Sequence, residues 1–381
     1  GFDYLTDHYA AICLFLSLLI LTFVGVGDMA VTGALGLILC IAGLTQRCRK
    51  VDLYVLIPLI LYNLISMASS FLVYRNAVDG YASTQIIFPV IYLLMACADK
   101  TELSLARSLC SLWAGITAVS GIIQYVYAAV ILNRGGRLNG FLGNPNASGI
   151  FFVIGWLLLQ DIDAGHHDTH PSGCPGARQR TARPADCHPV KNNAQRAPQT
   201  SPVLLKENLL TASAAFTEPF LLISLALTLS MGSFLSMAAG ILVLLYRKAK
   251  RTTVREALSC ACGLLAKAGL GIGTGILLYL TASWTDFPRV CLILFLYIIA
   301  MALCWKKFKL FLEEYPGLAA CISAAGILVA AAAVIIRPSA LATFSERLDM
   351  MRSGIGYLTV NPFFGVGPYR WRLLDLQDGG C

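Results

Sequence analysis

Residues 134–149 read RGGRLNGFLGNPNASG and lie between two apolar runs, SLCSLWAGITAVSGIIQYVYAAVIL before and FFVIGWLLL after. A bare connector between helices needs only a short turn, so this one is over-equipped. Arg134 and Arg137 carry planar guanidinium forks that take phosphate oxygens in pairs. Gly135, Gly136, Gly140 and Gly143 let the backbone pass close to another surface. Pro145 fixes its own φ, and Asn146 or Ser148 is expected to cap a helix that starts near Ala147. The start of that helix adds partial positive charge and N–H donors. Arginines and a glycine-rich turn at a helix N-terminus can seat a phosphate group. The same residues also fit an arginine snorkelling to lipid headgroups, and on the residues alone both readings stand.

A second segment repeats the theme. SERLDMMRSGIGYLTVNPFFGVGPYRW, residues 345–371, opens with a polar cap and a helix-like stretch carrying Arg347 and Arg352. It then turns at Asn361-Pro362, runs through Gly365 and Gly367, and is followed by Arg370 and Arg372. A solvated basic rim is the plainer account of these cations.

The elements that must hold these residues are membrane helices. The chain has 381 residues, mean hydropathy +0.69, 57% hydrophobic residues and 13% charged ones, against about 25% charge in soluble domains. Several apolar runs are long enough to cross about 30 Å of hydrocarbon. Spans are expected at 9–26, 29–45, 52–73, 83–98, 109–132, 147–160, 209–230, 233–246, 264–283, 290–304 and 317–336, about eleven in all. The stretch 209–246 could instead be a re-entrant hairpin around TLSMGS. The fold class is therefore an all-α polytopic membrane protein, with 1–381 as one transmembrane domain and 337–381 as the start of a large outer loop.

Basic loops set the orientation. QRCRK (46–50), RKAKRTTVR (247–255) and WKKFK (305–309) are placed in the cytoplasm. The outer side then receives nine of the 29 basic residues: Arg75, Arg134, Arg137, Arg289, Arg337, Arg347, Arg352, Arg370 and Arg372. All nine are arginine and every lysine is inside, which points to an anionic partner at the outer interface. Residues 161–207 are rich in Pro, Arg, His, Gln and Asn and are expected to be a disordered cytoplasmic loop. The cluster His166, His167, His170, Cys174, Cys187 and His188 fits no tetrahedral spacing, so no metal site is assigned. The cysteines inside apolar runs read as small packing residues. Both ends of the chain, Gly1 and Cys381, look like cuts in a longer protein.

The residues at 137–146, R-L-N-G-F-L-G-N-P-N, resemble the R-x-x-G-x-x-x-N-P-N signature of the bacterial O-antigen ligase and O-antigen polymerase superfamily. E-R-L-D-M-M-R followed by N-P-F-F-G-V-G-P, at 346–368, resembles its second signature, an Arg-Leu helix running into N-P-L-x-G-V-G. T-L-S-M-G-S-F at 228–234 resembles its central T-x-S-R-G motif. The resemblance covers most of the chain from about residue 50 onward, apart from 161–207. It implies a GT-C-like bundle in the bacterial cytoplasmic membrane. The implied activity moves a glycan from an undecaprenyl diphosphate carrier to an acceptor glycan or glycolipid at the outer face. It implies no metal and no cofactor, and no nucleic acid among the partners, which are the two glycan substrates and the bilayer. The implied catalytic residues are Arg137 and Arg347, which would hold the diphosphate as it leaves. The implied substrate-binding residues are Arg134, Asn139, Gly140, Asn144, Asn146, Arg352, Gly365 and Gly367.

Two departures matter. Met231 stands where the family's central motif has arginine. The family's outer-loop His-Asn beyond the G-V-G-P turn is not reached before Cys381, and no histidine follows His188. Glu346 and Asp349 are the acids beside the second signature, and neither is assigned as a base. Two rivals remain: an inactive, truncated member, and a transporter or flippase for the same lipid-linked glycan. A transporter calls for charges or broken helices at mid-membrane, and the spans look nearly charge-free. Lys267 is expected to snorkel at the inner end, and Glu218, just before Pro219, to mark a kink. Gly263, Gly269, Gly271, Gly273 and Gly275 are expected to serve close helix packing.

Overall fold

The structure is a computed structural model; it describes residues 8–24, 51–74, 87–98, 100–132, 136–167, 216–282, 286–336 and 338–360, with isolated positions at 31, 34–36, 38–39 and 362. The described residues are helical, with no strand among them. In chain order the helices are α1 (Tyr9–Val24), α2 (Leu53–Tyr74), α3 (Ile87–Cys97), α4 (Lys100–Val130), α5 (Pro145–His167) and α6 (Glu218–Thr228). They continue with α7 (Met231–Ala249), α8 (Val254–Thr281), α9 (Phe287–Glu314), α10 (Pro316–Ile336) and α11 (Pro338–Val360). Four of them, within α4, α7, α8 and α9, are long and apolar enough to cross a membrane. Their outer faces carry large apolar side chains: Leu292, Ile293 and Leu303 on α9 are each more than 60% exposed. Such surface suits lipid and not water.

The span expected at 29–45 lies largely outside the described residues. α5 stays helical to His167, past the point where composition turns polar; the rest of 161–207 lies outside. α11 runs as one helix through Arg347 and Arg352 and stops at Val360, before the Asn361-Pro362 step, where proline disfavours helical backbone in the residue ahead of it.

α6 is the centre of the bundle. It packs on α4, α5, α8 and α9, and all eleven of its residues are buried. At 1.5 Å per residue it is about 16 Å long, half the thickness of a bilayer core. A helix apolar on every side belongs inside, and its hydroxyls are satisfied locally: Ser224 Oγ donates to Ala118 O (2.8 Å) and Thr228 Oγ1 to Leu225 O (2.7 Å). The contacts fix directions. α5 runs antiparallel to α6, since Gly155 meets Leu221 and Gly149 meets Thr228; α8 runs parallel to it, since Gly271 meets Leu222 and Gly275 meets Ala226. α7 runs back parallel to α5, with Gly149 at Ser233 and Gly240 at Leu157. The basic segments 247–255 and 305–309 therefore lie toward one end of the bundle and residues 137–149 at the other.

The glycines of α8 divide. A Cβ on Gly275 would stand 2.6 Å from Ile223 O, and one on Gly326 of α10 would stand 2.6 Å from Gly269 Cα. Gly271 abuts Leu222, whereas Gly263 and Gly273 face open space. Close packing thus accounts for 269, 271 and 275 and not for the other two. Gly275→Ala must push α6 and α8 apart against backbone, and is expected to lower stability by about 1–3 kcal/mol. Gly273→Ala, with nothing in its way, is expected to be neutral or to stabilise by about 0.5–1 kcal/mol. Thermal unfolding of the two variants in the same detergent checks the contrast.

Candidate functional site

The turn after α4 folds back over the end of α6. Leu138 buries its side chain (3% exposed), and its N–H donates to Leu227 O at 2.9 Å. Gly140 and Gly143 take positive φ, 62° and 66°, a region costly for residues with a Cβ. Asn144 then starts α5: its Oδ1 accepts from Asn146 N (2.8 Å) and Ala147 N (3.4 Å), with Pro145 as the first helical residue. The cap is Asn144 and not Asn146 or Ser148, as expected from sequence, because those two have other partners. Ser148 Oγ donates to Asn139 O, and Asn146 Oδ1 accepts from Arg137 Nη2 at 2.9 Å.

Arg137 joins three segments. Its Nε donates to Thr228 O at 2.8 Å, closing the C-terminus of α6, where orphan carbonyls concentrate negative partial charge. Leu227 O is taken by Leu138 and Ala226 O by Leu229 N (3.0 Å), so the last carbonyls of α6 are met in turn. Ser233 Oγ donates to Asn146 O at 3.4 Å. Immediately beyond, α7 begins with Ser230 as its cap, the Ser230 Oγ accepting from Ser233 N. Two parallel helices, α5 and α7, thus start side by side beside one half-buried guanidinium. Their dipole ends are positive there.

No family model, curated protein or solved structure matches the chain.

The geometry therefore has to carry the assignment alone. It brings together Arg137, Asn139, Gly140, Asn144 and Asn146 from the first predicted set, together with TLSMGS. It shows that Arg137, read from sequence as a phosphate fork, also has a structural task, since both of its hydrogen bonds given above go to protein groups. Met231 is the first residue of α7, one position from the cap. Arg352 is exposed on α11 and pairs at 3.8 Å with Asp349, itself exposed; such a surface pair contributes little. Arg347 lies in the same helix with its side chain outside the described set, and Arg134, Gly365 and Gly367 lie outside the described residues. α11 packs on α10.

The turn between α6 and α7 holds a strained residue. Leu229 has φ 52° and ψ 32°, a left-handed conformation that costs a side-chain-bearing residue about 1–2 kcal/mol. Leu229→Gly is expected to raise stability by about 1 kcal/mol, read as a higher unfolding temperature; a lower one would show that the leucine side chain matters more than the backbone.

A second cluster was not legible as one. Glu218, 0% exposed, is the first residue of α6, with Pro219 next to it at the helix start. Proline there opens a helix and does not kink it, which corrects the expected kink. Glu218 Oε1 accepts from Trp156 Nε1 (3.1 Å) and Gln160 Nε2 (2.8 Å) of α5, and Lys267 Nζ of α8 lies 3.4 Å away. Oε2 accepts from Trp305 Nε1 (2.7 Å) and Lys309 Nζ (2.9 Å) of α9. Lys267 also donates to Gln160 Oε1. Its side chain is 12% exposed and lies near the middle of α8, so it turns inward to the carboxylate and does not snorkel. Every group around Glu218 is a donor, an arrangement built for the ionised form. The sequence signal was available, because charges inside membrane helices are rare and pair with one another; the two tryptophans and the glutamine gave none.

Proposed function

We propose that the chain is a membrane glycosyltransferase of the O-antigen ligase or polymerase kind. It takes a glycan from an undecaprenyl diphosphate carrier at the outer face of the bacterial cytoplasmic membrane and transfers it to an acceptor glycan or glycolipid. The finer fold that goes with this reading is a GT-C-like bundle of about eleven spans. One observation carries it. Two segments whose residue patterns resemble the family's first and central signatures, 91 positions apart where Arg137 meets Thr228, fold into one site. That site combines a guanidinium with two helix N-termini, the chemistry that holds phosphate oxygens. In transfer, an acceptor hydroxyl attacks the anomeric carbon, the bond from that carbon to the diphosphate oxygen breaks, and the diphosphate leaves with the electron pair. Positive charge fixed beside the departing oxygens lowers the barrier. The hydroxyl proton goes to a base that the described residues do not identify.

A second reading, a transporter of the same lipid-linked glycan, gains from the structure. The ionic cluster at Glu218 and the half-length helix α6 are the interior charge and the interrupted helix that transport folds use. Reconstitution separates the two. Vesicles carrying the full chain, undecaprenyl-diphosphate-linked oligosaccharide and an acceptor glycolipid should form the joined product. Movement of the lipid across the bilayer with no product would favour the transporter, and the absence of both product and movement would overturn both readings.

A further inference from the structure

Tyr125 poses a problem that packing alone does not solve. It lies on α4, one turn before the helix ends, and is 6% exposed. Its hydroxyl makes no hydrogen bond among the described residues. Buried hydroxyls nearby in the bundle find a carbonyl: Thr117 at Ala114 (2.7 Å), Ser224 at Ala118 (2.8 Å) and Thr228 at Leu225 (2.7 Å). A hydroxyl stripped of water with nothing in exchange is a cost that phenylalanine would avoid, and native proteins leave few such groups.

Its position links it to the site above. Aromatic side chains on a helix lean toward the helix N-terminus, and Gly121 lies one turn toward that end of α4 from Tyr125. A Cβ on Gly121 would touch Leu138 at 3.2 Å, and Leu138 follows Arg137 directly. Leu138 and Tyr125 belong to one buried cluster. A second phenol, Tyr279 of α8, packs against the same cluster.

We infer that Tyr125 is a ligand-recognition residue whose hydroxyl bonds a sugar hydroxyl of the lipid-linked glycan held at the Arg137 end. The inference rests on the lipid-linked glycan being this site's ligand, whether it is transferred or transported. A phenol both donates and accepts, which matches a sugar hydroxyl. A phosphate oxygen only accepts and is better served by Arg137 and the helix N-termini.

The test uses the full chain in lipid nanodiscs, with two probes: a polyprenyl diphosphate bearing the oligosaccharide, and the same polyprenyl diphosphate without sugar. Tyr125→Phe, which removes one oxygen, should weaken binding of the sugar-bearing lipid about tenfold. It should leave the sugar-free lipid unaffected and should not lower the unfolding temperature. Equal affinity for the sugar-bearing lipid in both proteins overturns the inference, as does equal weakening toward both lipids. A wild-type chain that binds neither lipid overturns the reading of the site and this inference with it.

Discussion

Glu218→Ala in the full chain is expected to lower stability by about 3–5 kcal/mol, the range for removing one partner of a buried ion pair. The effect is large because the carboxylate is shared. Its loss takes the carboxylate away from Lys267 and Lys309, whose side chains are only 12% and 16% exposed, and removes the acceptor for the indole N–H groups of Trp156 and Trp305. Helices α5, α6, α8 and α9 all lose a tie at once. Glu218→Gln keeps the volume and part of the hydrogen bonding yet leaves two ammonium groups facing an uncharged amide, and should recover only part of the loss. A cycle with Lys267→Met separates charge from packing. The double variant Glu218→Gln, Lys267→Met should cost less than the sum of its single changes, by about 0.5–3 kcal/mol. Reversible unfolding in detergent or bicelles measures each corner. A loss under about 1 kcal/mol for Glu218→Ala would mean that water reaches the cluster and that its burial is only apparent.

How far the sequence carried this fold differs by element. The long apolar helices α4, α8 and α9 announce themselves through length and hydropathy alone, since crossing a bilayer is a one-dimensional requirement. α6 does not. EPFLLISLALT falls in the stretch 209–246, which fits either two short spans or a re-entrant hairpin, and only three-dimensional packing shows it to be a short helix buried at the core of the bundle. The turn at 137–146 was legible because glycine, proline and asparagine have few reasons to cluster between apolar runs. Which asparagine caps the helix was not, because Asn144 and Asn146 lie two positions apart and local propensity favours both. The choice is made by Arg137, which claims the Asn146 side chain. Glu218, Lys267 and Lys309 are spread over more than ninety positions. Their association depends on α6 and α8 running parallel and α9 running back, which no local pattern encodes.

Arg137 carries the other large expectation. On the proposed function, Arg137→Ala should cut glycan transfer by about 100-fold or more, the range seen when one fixed donor to a developing negative charge is removed. Its structural contacts predict a smaller, separable cost. The bond from Nε to Thr228 O caps α6 and the bond from Nη2 to Asn146 Oδ1 braces the turn, so stability should also fall, by about 1–3 kcal/mol. Two further variants distinguish a chemical role from a bracing one. Asn146→Ala removes the brace and keeps the guanidinium. If bracing the turn through Asn146 is all that Arg137 does for transfer, this variant, which keeps the bond to Thr228 O, should lose transfer as severely as Arg137→Ala; if the charge acts on the diphosphate, it should lose about tenfold or less. Arg137→Lys keeps the charge without the planar fork, and a lysine at a bidentate phosphate contact is a poor substitute. It should therefore fall between wild type and alanine in transfer. Turnover of undecaprenyl-diphosphate-linked glycan by the purified full chain, measured beside the unfolding temperature of each variant, reads both quantities. Wild-type turnover in Arg137→Ala would remove this residue from the chemistry and leave it as the strut between α6 and the turn.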